Sequence, residues 1–303
     1  MKRKFVWLGA GVFFVIAVGS GFIPDLRLGS EIRKARESGL MLLDRPEVQP
    51  KAEDNASPVY RGVITKFGSL PRFLISDFAG QVKANTPQMG RYLQAMSDAS
   101  KCPAYSPVEN GAAENTPDQP VDVYLFATAR AATELATGAD QLEGPARMAK
   151  HLGDRGTALK VGQWAFMVNA VLDRAKALHL SPAQSFRIAS LLGPPLSARQ
   201  ALHDHVARTI RKMEDTAKMD GRGASRVRDE VAYLQFWREF FAENPPNRPI
   251  KEVVRAKESL VEEAEARNGD YMDFEGLFGP SASPWTDWAK LVDEASQRLA
   301  SAH

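Results

Sequence analysis

Apolar positions fall along this chain in two regimes. The first is one unbroken run, Phe5 to Ile23, FVWLGAGVFFVIAVGSGFI, preceded by Met1-Lys2-Arg3-Lys4. At 1.5 Å rise per residue the run reaches about 28 Å as a helix, close to the ~30 Å hydrocarbon core of a bilayer. Within hydrocarbon every backbone N–H and C=O must be paired internally, so such a run spans as a helix. The basic residues before it predict a cytoplasmic N-terminus, with everything after Pro24 across the membrane. The rival reading, a cleaved secretory signal ending at the small residues Ala17, Gly19, Ser20 and Gly21, places the body in the same compartment. The length of the run and its continuation through Phe22-Ile23 favour a retained anchor, and with no Cys directly after it a lipoprotein anchor is out.

The second regime is helical periodicity, broken at intervals by Gly, Pro and Asn. Leu26 to Ser38 reads as a short charged helix leading away from the membrane and stopped by Gly39, and Leu40 to Asp54 as an extended connector with Pro46 and Pro50. Asn55 or Ser57 can cap the next helix. Further short helices follow at Val59–Phe67, Pro71–Phe78 and Pro87–Ala99, the last with Thr86 as cap. Ser100 to Pro120 carries four prolines and no period. It is read as a loop dividing a membrane-proximal part, 24–99, from a larger distal part, 121–303.

In the distal part Val121, Tyr124, Leu125, Thr128, Ala132 and Leu135 form one stripe, and Leu142 to Leu152 a second helix. Ala158 to Leu172 is apolar nearly all round and is expected at the buried centre, through Val161, Trp164, Val168, Val171 and Leu172. It is too interrupted by Lys160 and Asp173 to be a second span. Helices follow from Ser181, from Ser197, through Val227 to Phe241, from Pro249 to Arg267 and from a Ser283 cap. Gly269 to Ser283 reads as a loop. The fold class expected is all-α: a single N-terminal transmembrane helix, then an irregular helical bundle or helical-hairpin array.

Asp54-Asn55-Ala56-Ser57-Pro58-Val59-Tyr60 resembles the acidic-Asn-Ala-Ala-x-x-Tyr segment of uncharacterised bacterial membrane-anchored helical proteins. In these an N-terminal anchor, a charged helix and a Pro-containing connector precede the same segment. The resemblance covers roughly the first sixty residues, departs at Ser57 and implies no activity. It implies that Asn55 caps a helix that Val59 and Tyr60 dock.

Composition narrows the function classes. Setting Lys2, Arg3 and Lys4 aside from the 39 basic residues leaves 36 against 37 acidic ones, so the body is near neutral. With no basic cluster interleaved with aromatics, no nucleic-acid partner is expected. Cys102 is the one cysteine, so the chain forms no internal disulfide.

The sharpest chemical candidate is Ala201-Leu202-His203-Asp204-His205 with His179 upstream. It resembles part of the helical His-Asp phosphohydrolase pattern, in which His179, His203, Asp204 and Asp229 would be metal ligands. The apolar-Gly-basic ending of that pattern is replaced by His205-Val206-Ala207. On a helix, His203 and His205 fall on opposite borders of the Leu202–Val206–Ile210–Met213 stripe, so they are read as border residues. Glu258, Glu262, Glu263 and Glu265 lie among Lys and Arg as a solvated face. Arg222, Arg226 and Arg228 form a solvated basic turn. Phosphate loops and nucleophile elbows are absent.

No catalytic, cofactor or metal residue is therefore assigned. The expected partners are the bilayer, through Phe5 to Ile23, and a protein of the cell envelope. The expectation is an extracytoplasmic interaction or scaffold protein of the inner membrane, not an enzyme. The alternative is a binder of a small ligand or envelope polymer, using the loop aromatics Tyr105, Tyr271, Phe274 and Phe278.

Overall fold

A computed structural model describes residues 26–42, 50–106, 121–154, 158–217, 224–243 and 283–302. Phe5–Ile23, the helix expected at Pro249–Arg267 and the aromatics Tyr271, Phe274 and Phe278 lie outside them. Among the described residues the fold is all-α, with no strand and one isolated parallel bridge between Asn55 and Ala104. None of the described helices is long and apolar enough to cross a membrane.

The helices are α1 (residues 26–37), α2 (Ala56–Phe67), α3 (Ser69–Ser76), α4 (Phe78–Ala84), α5 (Pro87–Ala99), α6 (Val121–Leu135) and α7 (Ala139–Asp154). They continue with α8 (Ala158–Ala177), α9 (Pro182–Leu191), α10 (Ala198–Ala217), α11 (Ala224–Glu243) and α12 (Ser283–Ala302). Local chemistry fixes many of the starts. The Asn55 side chain accepts from the Ser57 N–H at 3.0 Å, and Thr86 Oγ1 accepts from the Met89 N–H at 3.2 Å ahead of Pro87. Ser181 and Gln184 form a reciprocal capping box in front of α9.

Two compact units emerge, and they do not divide at residues 100–120 as the prolines suggested. One lies within Arg45–Leu202 and Trp288–His303, the other within Met1–Asp44 and His203–Asp287. The expected boundary fails because α2, α3 and α5 pack against α6 and α5 also packs against α7, so the segments on either side of residues 107–120 share one core. The charged helix α1 belongs instead with α11 and the part of α10 from His203 onward.

In the larger unit α7 is the central helix, packed against α5, α6, α8 and α9. Gly144 lets α5 approach closely: a Cβ there would stand 2.3 Å from Ser97 Oγ and 3.2 Å from Ser97 Cα on α5. Central placement expected for α8 is thus only partly met. Val161, Trp164, Val168 and Val171 are buried, Leu172 is half-buried, and Phe166 is exposed, because the side of α8 away from α7 is not fully covered. Trp164 satisfies its indole by donating to the Leu192 carbonyl at 3.1 Å. The last helix, α12, buries Ala289, Val292, Ala295 and Leu299 and is tied down by Ser296 Oγ donating to the Leu196 carbonyl and by Arg298 donating to Asn169 on α8.

The smaller unit is built on α11, whose buried Val227, Val231, Tyr233, Leu234, Phe236, Trp237 and Phe240 occupy most of its circumference. Leu28, Ile32 and Ala35 of α1 and Val206, Ile210 and Met213 of α10 are buried in the same unit. Its interior is also charged: Glu31, Asp204 and Glu230, one from each helix, are buried. Glu31 pairs with Lys34 at 2.8 Å and with Arg238 at 2.5 Å, and Arg211 donates to the Met41 carbonyl at 2.9 and 3.1 Å. Burial pushes the Glu31 carboxyl up, but hydrogen bonds from Lys34, Arg238 and Gln235 outweigh that and hold it below its ordinary range.

Candidate functional site

The densest polar constellation of the larger unit gathers around the Asp54–Tyr60 segment. Asn55 does more than cap α2. Its Oδ1 also accepts from the Ser106 N–H at 3.0 Å, and its Nδ2 donates to the Ser106 carbonyl at 2.7 Å. Alongside, the Ala56 N–H donates to the Ala104 carbonyl at 2.9 Å and the Ala104 N–H to the Asp54 carbonyl at 3.2 Å. One amide side chain thereby clips residues 54–56 to residues 104–106.

Beneath this clip Tyr60, fully buried, meets His151 of α7: its hydroxyl lies 2.9 Å from Nδ1. The other ring nitrogen, Nε2, lies 3.1 Å from the Cys102 carbonyl. A carbonyl only accepts, so Nε2 carries the proton, Nδ1 is bare, and the Tyr60 hydroxyl donates to it. Tyr105 stacks on the His151 ring at 5.9 Å and meets Tyr60 edge to face at 6.0 Å. Its hydroxyl donates to Asp122 Oδ1, while Asp122 Oδ2 pairs with Lys160 at 2.5 Å. A single connected network thus joins α2, the 102–106 segment, α6, α7 and α8.

The electrostatics say what this network can do. Burial, the largest cause, and the nearby charges of Lys150 and Arg147 push the His151 pKa down to about 4, against the opposing hydrogen bond to the Cys102 carbonyl. Burial likewise raises the Tyr60 phenol well above its usual value. A general acid or base works best with a pKa near the operating pH. These two groups are tuned away from it in opposite directions and stay neutral, which suits a lock rather than a proton relay.

Several sequence expectations change here. Tyr105, expected as an exposed loop ring, is buried, because the start of the 100–120 stretch threads into the core. Val59, expected to dock α2 beside Tyr60, is exposed: it lies on the side of α2 that the core does not cover. Cys102 is a half-buried free thiol whose carbonyl, not its sulfur, is engaged with His151.

The His-Asp candidates scatter over both units. His179 is exposed in the larger unit, closing α8 at a positive φ of 52° with its N–H donating to the Lys176 carbonyl. His203 and His205 are half-buried on α10 in the smaller unit, His203 edge-on to Phe241 at 4.9 Å. Asp204 is fully buried, which the border reading of its neighbours did not anticipate. Asp229, Arg226 and Arg228 fall on α11, but their side chains lie outside what is described, as do Arg222, Glu258, Glu262, Glu263 and Glu265. Among the described residues no group of three His, Cys, Asp or Glu is placed to hold a metal ion.

On the surface of the larger unit a second cluster stands out. The Arg130 guanidinium lies 4.0 Å over the Phe78 ring and 5.9 Å from that of Phe166, and Phe126 meets Phe166 edge to face at 5.6 Å. Arginine held between part-exposed rings is the side-chain chemistry that protein interfaces favour. Compared with protein-family models, with curated proteins and with solved structures, the chain matches none.

Proposed function

We propose that this protein is a single-pass, membrane-anchored interaction protein whose N-terminus is cytoplasmic and whose helical body, an irregular bundle, works on the opposite side of the membrane. The observation that carries the anchor is the uncharged run Phe5–Ile23; the orientation rests on Lys2-Arg3-Lys4 at its start, with Arg27, Arg33, Lys34 and Arg36 counting the other way. The interaction half draws support from the Phe78–Arg130–Phe166 cluster and from Phe73 and Phe186, each about half exposed at 52% and 51%. With Tyr105 buried, the ligand-binder alternative loses the one loop ring of its four that lies among the described residues.

Reporter fusions after residue 42 test the location. A reporter active only outside the cytoplasm should work there. Activity of a cytoplasm-only reporter at the same junction overturns the topology. Crosslinking and co-purification of the full chain from membranes test the interaction, with Arg130→Glu expected to lose partners that the parent chain retains.

A further inference from the structure

We propose that α1, instead of leading away from the membrane, lies with its outward face along the bilayer and binds its anionic lipid headgroups. This inference rests on the anchor reading above and adds to it where the body of the protein touches the membrane.

The first observation is chain reach. Only Pro24 and Asp25 separate Ile23 from Leu26, so Leu26 sits at most about 11 Å from the end of the apolar run. The headgroup layer extends roughly 5–8 Å beyond the hydrocarbon on each side, so α1 begins at that layer.

The second is the division of faces. Leu28, Glu31, Ile32 and Ala35 turn into the smaller unit, and the opposite side carries Leu26, Arg27, Arg33, Lys34, Arg36 and Glu37, all exposed. Leu26, with 65% of its surface exposed, is an apolar side chain at the end nearest the lipid.

The third is charge. Four cations stand on that side against Glu37 alone. Lys34 is engaged by Glu31 and Arg36 by Glu214, whereas Arg27 and Arg33 have no ion pair among the described residues. Each cation close to a leaflet that carries anionic lipid strengthens the attraction about fivefold, so Arg27 and Arg33 together supply a factor of about 30 where the leaflet facing α1 is anionic. The sign of the charge, on a helix whose first residue starts at the headgroup layer, selects anionic lipid over a protein partner.

The test uses the full chain, with Cys102→Ser, reconstituted in vesicles and labelled with a fluorophore at Glu37→Cys. Residue 37 lies about 16 Å along the helix from Leu26, so tethering alone does not bring it to the headgroups. A matched label at Gly90→Cys, where an added Cβ meets nothing within 4 Å, is the control. With nitroxide lipids in mixed phosphatidylcholine and phosphatidylglycerol vesicles, the label at 37 is expected to be quenched well beyond the control. Pure phosphatidylcholine, or R27E/R33E, should bring it down toward the control while the circular dichroism spectrum is unchanged. Quenching equal to the control, or indifferent to both lipid charge and the two arginines, overturns the proposal while leaving the anchor intact. Release of the protein from vesicles by alkaline carbonate overturns the anchor and this inference together.

Discussion

His151 has no spare nitrogen. With Nε2–H committed to the Cys102 carbonyl and Nδ1 to the Tyr60 hydroxyl, a second proton on the ring turns an acceptor into a donor and breaks the contact as made. The folded-state pKa of about 4 lies below the ordinary 6.5, so between these values the unfolded chain binds the proton and the folded chain does not. Stability from this group is therefore complete above pH ~6.5, falls as the pH drops toward 4, and changes no further below that, a total of about 3 kcal/mol. Between pH 7 and pH 5 the loss should be roughly 2 kcal/mol in urea titrations. His151→Phe removes that pH dependence. At pH 7 it also costs about 1–3 kcal/mol for each of the two partners left unpaired in the core. A variant that keeps the full slope between pH 7 and pH 5 would show that the slope comes from elsewhere, such as the carboxylates.

Helix by helix, a close contact that can be tested is that of α5 and α7 at Gly144. Gly144→Ala gains about 1 kcal/mol of helix propensity, yet its Cβ would come within 2.7 Å of Ser97 Cβ and 3.2 Å of Ser97 Cα, atoms that no rotamer change removes. The overlap should win, for a net loss of about 1–3 kcal/mol. Ser97→Gly in the same chain should recover part of it as a positive coupling in a double-mutant cycle, and simple additivity would refute the contact.

This crossing also marks the limit of what the sequence made legible. Asn55, Thr86 and Ser181 could be identified as caps because each cap hydrogen bond closes within three residues. The α8 stripe could be identified because its period is local. Nothing local identifies α7 as the centre, since its neighbours α5, α6, α8 and α9 are contributed from both sides along the chain. The lock is non-local too: Asn55 and Ser106 are 51 residues apart, Tyr60 and His151 are 91. Four of its members, Asn55, Tyr60, Cys102 and Tyr105, stood out in the sequence singly, but only folding joins them to His151 and Asp122. Asp204 shows the converse: it lies on the side of α10 opposite the Leu202–Val206–Ile210–Met213 stripe, where the local period predicts exposure, yet it is buried by what surrounds α10.

For the whole molecule, connectivity matters more than element count. The larger unit is left at Leu202 and re-entered at Trp288, so α12 rejoins it after an excursion of 85 residues, 203–287. In that helix Leu299 is fully buried four residues before the end of the chain, and a Cβ at Gly162 of α8 would stand 2.8 Å from Trp288, which shows how closely α8 and α12 approach. A helix merely appended to a finished domain would tolerate truncation of such a side chain within about 0.5 kcal/mol. If α12 closes the core, Leu299→Ala leaves a cavity and should cost about 2–5 kcal/mol, as in any well-packed interior. Equilibrium unfolding followed by Trp fluorescence, with Phe186→Ala as an exposed-site comparison, separates the two cases. A loss at Leu299 no larger than at Phe186 would mean that the 203–287 excursion leaves behind a core already complete without its last helix.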